Sequence, residues 1–433
     1  MSISRRALLR AAAVGTGAAV AGGPASALGT ILDAAAPGAN PRFSRADLRC
    51  YVVVLDGLRR GEISSGLMPR LQELVGQGTS YRAAQAVYIP ETLPNHVAMM
   101  TGVRGARNGV PANLALVRGE AEVRTLERAS DIVAPTLFEV LGEHEVRTAA
   151  VLSKKYLHSV FGDRPDSTWD PAPQIPESDH APDVFTVDAL LAEIDAHDPR
   201  FAFVNLGDID RMGHVDVTGA GPRPVARTVV LADTDRQLGR VVDHLRDTGR
   251  WGRSVLILLA DHSMDWSVPH QVVSVRAAFD ADPLLRGRYA VAENGGAGLL
   301  YWIGDPAARA RAVARMAALA AALDGVDRVV PSGRLELGER GGDLVLLVEA
   351  GWRFSDPGVD HNKIPGTHGH AVTLPIPFVV TGGSGLVRRG VELGDAVRPL
   401  DVAPTVAWLF GVPVAARRYQ GRARVEAFTA QPV

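Results

Sequence analysis

The run Cys50-Tyr51-Val52-Val53-Val54-Leu55-Asp56-Gly57 decides the fold. Residues 50–55 are continuously apolar, so both faces of the segment must be covered, as in a strand inside a parallel sheet. The run then empties into a carboxylate and a glycine. In open α/β sheets, ligands bind beyond the carboxyl ends of the strands, so Asp56 is placed to hold a metal. Taken alone, Asp-Gly is also an ordinary turn. Working outward, Thr148 to Leu152, Phe201 to Leu206, Val255 to Ala260 and Phe378 to Thr381 are further buried-strand candidates. Helical spacing falls at Met68 to Gln77, Pro135 to Leu141, Val184 to Ile194, Arg227 to Arg246 and Val402 to Phe410. The alternation predicts an α/β fold with a mostly parallel central sheet flanked by helices.

One stretch has a different order. Gly298 to Ile303 is strand-like, Pro306 to Leu323 is an Ala/Arg-rich helix opened by proline, and Val326 to Val330 and Asp343 to Ala350 are again strand-like. This predicts a small α+β insertion over 291–356, set on a core made from 46–290 and 357–433. The alternative is that its strands extend the main sheet.

The chain's 433 residues are 46% hydrophobic, enough for a large core and against disorder. The formal net charge of -2 and the scattered Lys and Arg argue against a nucleic-acid-binding surface, which needs clustered cations. At the N-terminus, Arg5-Arg6 precede a short, small-residue apolar run from Ala11 to Gly23, and Ala25-Ser26-Ala27 has the form a signal peptidase accepts. Residues 1–27 therefore read as a twin-arginine export signal, with a Sec signal as the alternative. The run is too short and Gly-rich for a membrane anchor. An Ala/Gly/Pro-rich linker, 28–45, follows. Cys50 is the sole cysteine, so no intrachain disulfide forms, and its place in a strand marks it as a buried small hydrophobe.

Acidic and imidazole residues collect at strand ends. Asp210 and His214 follow Phe201 to Leu206, Asp261-His262 directly follow Val255 to Ala260, and His368 sits between glycines in Gly366-Thr367-His368-Gly369. Each alone reads equally well as a solvated loop or a cap. Together they sort into two sets, Asp210/His214/His368 and Asp56/Asp261/His262. Such mixed donors suit Zn²⁺, and Mn²⁺ or Fe²⁺ also fit. Two such ions can clamp the attacking and leaving oxygens of a phosphoryl displacement. Thr92, in Pro90-Glu91-Thr92-Leu93-Pro94-Asn95-His96, is placed just before a helix N-terminus, where an anion is favoured. A helix cap is the bland alternative.

These motifs, with Thr101-Gly102, resemble the nucleotide pyrophosphatase/phosphodiesterase family of the alkaline phosphatase superfamily. The resemblance runs from Asp56 to His368 and on toward Phe410. It implies an alkaline-phosphatase-like core, a Thr92 that bridges two zinc ions and forms a phosphothreonine intermediate, and the two ligand sets above. It also implies that the Asn113 amide donates to a phosphate oxygen. The chain departs from the family pattern at Asn108, where His is usual, and at Pro111 within the same segment. Ile209 stands for Pro, Ser263 for Gly and His370 for an aromatic residue. Tyr88, Tyr156 and Trp266 are candidates to stack on a nucleotide base, with packing as their alternative role.

The resulting expectation is an exported phosphodiesterase or pyrophosphatase acting on a small phosphate ester, its partner being the twin-arginine machinery. A diester is favoured because no basic residue is evident beside Thr92. The alternatives are a phosphonate hydrolase, whose motif usually has Asn at the position of His96, a phosphomonoesterase, and a non-catalytic exported binding protein.

Overall fold

The computed structural model describes residues 45–175, 178–219, 225–358, 363–413 and 418–429. The expected export signal and linker lie outside the described residues, apart from Arg45. Among the described residues, no helix is long and apolar enough to cross a membrane.

An eight-stranded sheet carries the fold. In chain order its strands are β1 (Arg49–Leu55), β2 (Thr79–Ala84), β3 (Thr148–Leu152), β4 (Ser167–Trp169), β5 (Phe201–Leu206), β6 (Ser254–Leu259), β11 (Phe378–Thr381) and β12 (Val391–Val397). Their spatial order is β12-β2-β11-β6-β1-β5-β3-β4. Strand β1 is at the centre, parallel to both β5 and β6, and every residue of these three strands is buried. That is what their predominantly apolar sequences require. Strand β3 runs parallel to β5. The four adjacent strands β6-β1-β5-β3 therefore share one carboxyl edge, and whatever follows each of them emerges there. Strand β11 is antiparallel to both neighbours, so the sheet is mixed at that side. Strands β2, β4 and β12 are not in the expected set because Thr79–Ala84, Ser167–Trp169 and Val391–Val397 carry little continuous apolar signal.

The helices expected from periodicity are present as α1 (Pro69–Gly76), α3 (Leu137–Gly142), α5 (Asp183–His197), α7 (Val225–Asp247) and α9 (Val402–Leu409). Helix α2 (Thr92–Thr101) begins at Thr92 itself, with Glu91 as its N-cap, so Thr92 is the first helical residue and not the one before it. Helix α4 spans Lys155–Phe161. Helix α6 (Asp208–Val215) occupies a segment expected only as a strand-end loop. Asp208 and Asp210 lie in its first turn, where carboxylates complement the helix dipole. One turn separates Asp210 from His214, which puts both on one face.

A second sheet of four antiparallel strands has the order β7-β8-β10-β9: β7 (Tyr289–Asn294), β8 (Ala297–Trp302), β9 (Val326–Pro331) and β10 (Leu344–Val348). Its strands do not join the main sheet. Strand β7 lies across the boundary expected at 290/291. Period-two alternation divides the side chains between two cores. Leu300, Trp302, Leu344 and Leu346 pack under helix α8 (Arg309–Ala321). Leu299, Tyr301, Val345 and Leu347 face Ile89 and Ala112, which flank the nucleophile and Asn113 segments.

Arg227 of α7 is fully buried and joins the loops at the carboxyl edge. Its guanidinium donates to the carbonyls of Ile209 (2.9 Å) and Gly57 (2.7 Å) and pairs with Glu62. Gly57 adopts φ +71, and a Cβ there would stand 3.1 Å from the Cα of Asp210. Arg227 thus clamps the segments that carry Asp56 and Asp210. Arg227→Ala should lower unfolding free energy by about 3 kcal/mol or more in urea titration, since it strands Glu62 and two buried carbonyls. A loss below about 1 kcal/mol would show that the clamp is not structural.

Candidate active site

The four parallel strands deliver five titratable groups to one place. Asp56 follows β1, Asp261-His262 follow β6, Asp210 follows β5 through α6, and Lys154 follows β3. All five side chains are buried. Lys154 Nζ lies 2.8 Å from Asp56 Oδ2 and 2.7 Å from Asp210 Oδ2. It also lies 3.3 Å from Thr92 Oγ1. This overturns the expectation that no basic group stands beside the nucleophile. The signal was available, because Ser153-Lys154 directly follow an apolar strand as Asp56 does.

Each carboxylate uses one oxygen for the protein and leaves the other without a hydrogen-bond partner. Asp56 Oδ2 accepts from Asn205 and Lys154, Asp210 Oδ2 accepts from Lys154, and Asp261 Oδ1 accepts from the Gly57 and His262 amides. Asp56 Oδ1, Asp210 Oδ1 and Asp261 Oδ2 are buried and unpartnered. An unsatisfied buried carboxylate oxygen is costly, and three of them in one cluster point to a cation.

The histidines aim their Nε2 atoms into the same space. His214 Nδ1 donates to the Gly366 carbonyl and His262 Nδ1 to the Ser263 carbonyl, which leaves each Nε2 with a bare lone pair. His214 Nε2 lies 3.4 Å from Asp210 Oδ1 and 3.2 Å from His368 Nε2. His262 Nε2 lies 3.4 Å from Asp261 Oδ2, 3.6 Å from Asp56 Oδ1 and 3.4 Å from Thr92 Oγ1. The His262 and His368 rings stack at 3.7 Å. All seven residues expected to hold metal, Thr92 included, are thus brought together. Asp210, His262 and His368 lie within range of one ion, as do Asp56, His96 and Asp261. His262 therefore stands between the two expected sets. His96 does not have a nitrogen to spare. Its Nδ1 donates to the Thr92 carbonyl, and its Nε2 accepts from Asn205 Nδ2. Burial lowers its pKa to about 4, so the ring is neutral. His96 and Asn205 brace Thr92 and Asp56. Asn205 is not among the expected site residues, although a lone polar residue within Phe-Ala-Phe-Val-Asn-Leu is a visible anomaly.

The charges show the same strain. Burial and Asp56 push Asp261 well above the usual carboxylate range. Burial also raises Asp210, but Lys154 and His214 outweigh it and hold Asp210 well below that range. Burial pushes His368 well below the usual imidazole range, and His262 adds to that. A cation here would reverse the Asp261 shift and reinforce the other two, because it favours carboxylate and neutral imidazole together.

Asn113 lies at the start of α2. Its Oδ1 accepts from the Leu93 amide at 2.8 Å, which leaves Nδ2 to donate elsewhere. Asn108 fills the place of the usual histidine with two bonds of its own, to the Val103 carbonyl and the Val110 amide. Of the stacking candidates, Trp266 is buried, donates to the Gly213 carbonyl and lies between Arg59 and Arg227. Tyr156 has Lys154 and Arg211 beside its ring.

The family model for type I phosphodiesterase / nucleotide pyrophosphatase matches residues 51–371. The chain belongs to this family. A curated relative, bis(5'-adenosyl)-triphosphatase enpp4 of Xenopus laevis, is 34% identical over 65 residues, a match spanning 15% of this chain and 14% of the relative. Among solved structures, an inactive form of murine ectonucleotide pyrophosphatase / phosphodiesterase 5, in complex with AMP, superposes with TM-score 0.71 at 17% identity, over 88% of this chain and all of that one. Phosphonoacetate hydrolase from Sinorhizobium meliloti 1021, in complex with phosphonoformate, gives 0.65 at 20% identity, over 84% of this chain and 95% of that one. These likenesses establish an alkaline-phosphatase-like fold.

Within this phosphodiesterase-family site, Glu91 directly precedes Thr92. It is buried, accepts from the Asn113 amide at 2.9 Å, and has its pKa raised to about 8, chiefly by burial. Folding therefore retains a proton there. The stability this provides is fully present below its ordinary value of 4.5 and is lost as pH rises through about 8. Glu91→Gln stays neutral and keeps an acceptor for Asn113. Its Tm relative to wild type should climb as pH goes from 6 to 9. A difference independent of pH would contradict a protonated Glu91.

Proposed function

We propose that the chain is an exported two-metal hydrolase that cleaves phosphate esters or anhydrides through attack by Thr92. The supporting observation is the position of Thr92 Oγ1: at the first residue of α2, between Lys154 Nζ at 3.3 Å and His262 Nε2 at 3.4 Å, beside three buried carboxylates. Two divalent ions on Asp210/His214/His368 and Asp56/Asp261/His262 would lower the pKa of the Thr92 hydroxyl and offset charge on phosphoryl oxygens, and zinc suits these donors. The Thr92 oxygen forms a bond to phosphorus, and the leaving oxygen departs with its bonding electrons. Water then hydrolyses the phosphothreonine. The α2 N-terminus and Asn113 Nδ2 stabilise the charge on the non-bridging oxygens. The Arg5-Arg6 segment supports export by the twin-arginine route, and Arg5→Lys with Arg6→Lys should keep the protein inside the cell in fractionation.

Lys154 favours a second substrate class. An ammonium at the nucleophile suits a phosphoryl group with an additional negative charge, as in a monoester or phosphonate, whereas the diester preference assumed that no such group was there. Thr92→Ala should lose at least about a thousandfold in turnover of bis-p-nitrophenyl phosphate while retaining near two equivalents of metal. Retained turnover would remove Thr92 from the chemistry. Lys154→Met should cost p-nitrophenyl phosphate about 10- to 100-fold more in kcat/KM than the diester, the worth of one charge-assisted hydrogen bond. Equal losses would mean that Lys154 serves only its carboxylates. A panel extending to dinucleoside triphosphates, nucleotide sugars and phosphonates would fix the leaving group.

A further inference from the structure

The second sheet reaches the reaction centre at a single turn. Asn294 and Ala297 are paired in the β7–β8 hairpin, so Gly295-Gly296 form a two-residue turn. Two functional segments hang on this turn, one at each side.

Asn294 is 1% exposed. Its Oδ1 accepts from the Leu114 amide at 2.8 Å, and its Nδ2 donates to the Leu114 carbonyl at 3.0 Å. One side chain thus takes both backbone groups of the residue after Asn113, as a neighbouring strand would. A further bond from Nδ2 to the Ala292 carbonyl ties the amide to its own strand. Asn113 is meanwhile held by Glu91 through its amide, by Leu93 through its Oδ1 and by the Leu126 amide through its carbonyl. Leu114 lies opposite Thr125 in a short antiparallel ladder, and removing Asn294 would strip its amide and carbonyl of these two bonds and loosen the segment that carries Asn113 on that side.

The glycines hold the other segment. The Gly296 amide donates to the His368 carbonyl at 2.6 Å. A Cβ at Gly295, whose φ is +61, would meet that same carbonyl at 2.3 Å, and one at Gly296 would meet His370 Nδ1 at 2.0 Å. No residue but glycine lets the turn come this close. His370 in turn reaches Asp265 Oδ2 at 3.0 Å, on the loop that follows His262.

We infer that Asn294 is a positioning residue that sets Asn113 against the phosphoryl group, and that the hairpin tip fixes the distance between Asn113 and the His368 segment. The inference rests on the reading of Asn113 as a donor to the phosphate. Asn294 touches no substrate atom and acts only through Leu114 and Asn113. Misplacement of a donor by about 1 Å can cost about a hundredfold in rate.

A double-mutant cycle tests this on the full-length zinc-loaded protein with bis-p-nitrophenyl phosphate. Asn294→Ala should lower kcat about 10- to 100-fold with KM within about twofold and metal content unchanged. In the Asn113→Ala background the same change should cost less than about threefold, because the donor it positions is already gone. Additive losses, or full activity in Asn294→Ala, would overturn the inference. Full activity in Asn113→Ala would instead overturn the reading of Asn113. Asn294→Asp keeps the acceptor for Leu114 and should recover part of the lost kcat. If Asn294→Ala does not fold, the cycle is run with Asn294→Ser, and the same additivity criterion decides.

Discussion

Three carboxylates buried within reach of one another dominate this structure. Asp56, Asp210 and Asp261 each present an unpartnered oxygen to a common space, in a region where charge is poorly screened. Such a cluster is stable only with cations among its members, and Lys154 is the one that the described residues supply. The imidazoles of His214 and His262, each with its Nδ1 donating to a carbonyl, direct lone pairs toward the same space. A site built this way could hold metal, and its hydrogen bonds leave these side chains only one orientation.

The parallel sheet makes the convergence possible. Strands β6, β1, β5 and β3 end at one edge, so four short loops meet without a long excursion of the chain. Arg227 closes the outer side by tying Gly57, Glu62 and Ile209. The second sheet closes the inner side. Its alternation sends one set of side chains to its own helix and the other to Ile89 and Ala112, so the module and the nucleophile loop share a core. Anything that loosens that core is felt at Thr92 and Asn113.

Much of this is legible in the sequence. The strands β1, β3, β5, β6 and β11 announce themselves because burial on both faces forces continuous apolar sequence. Asp56, Asp210, His214, Asp261, His262 and His368 stood out because they follow such strands or sit between glycines. The strands that the sequence does not reveal are those whose burial is one-sided or partial: β2, β4, β7 and β12. Lys154 escaped for a different reason. A lysine after a strand reads as solvated, and only its enclosure by two carboxylates makes it part of the centre.

The amino-acid order by itself determined the α/β class, the carboxyl-edge placement of the acidic and imidazole groups, and Thr92 as the nucleophile candidate, since periodicity and strand-end chemistry are local properties. The tertiary structure decided what depends on contacts between distant segments. It placed His262 between the two candidate ligand sets, assigned His96 and Asn205 to bracing, brought Lys154 to Thr92, and set the Asn294 turn between Asn113 and His368. Hydrogen-bond partners far apart in sequence leave no periodic trace, so only the folded chain reveals them.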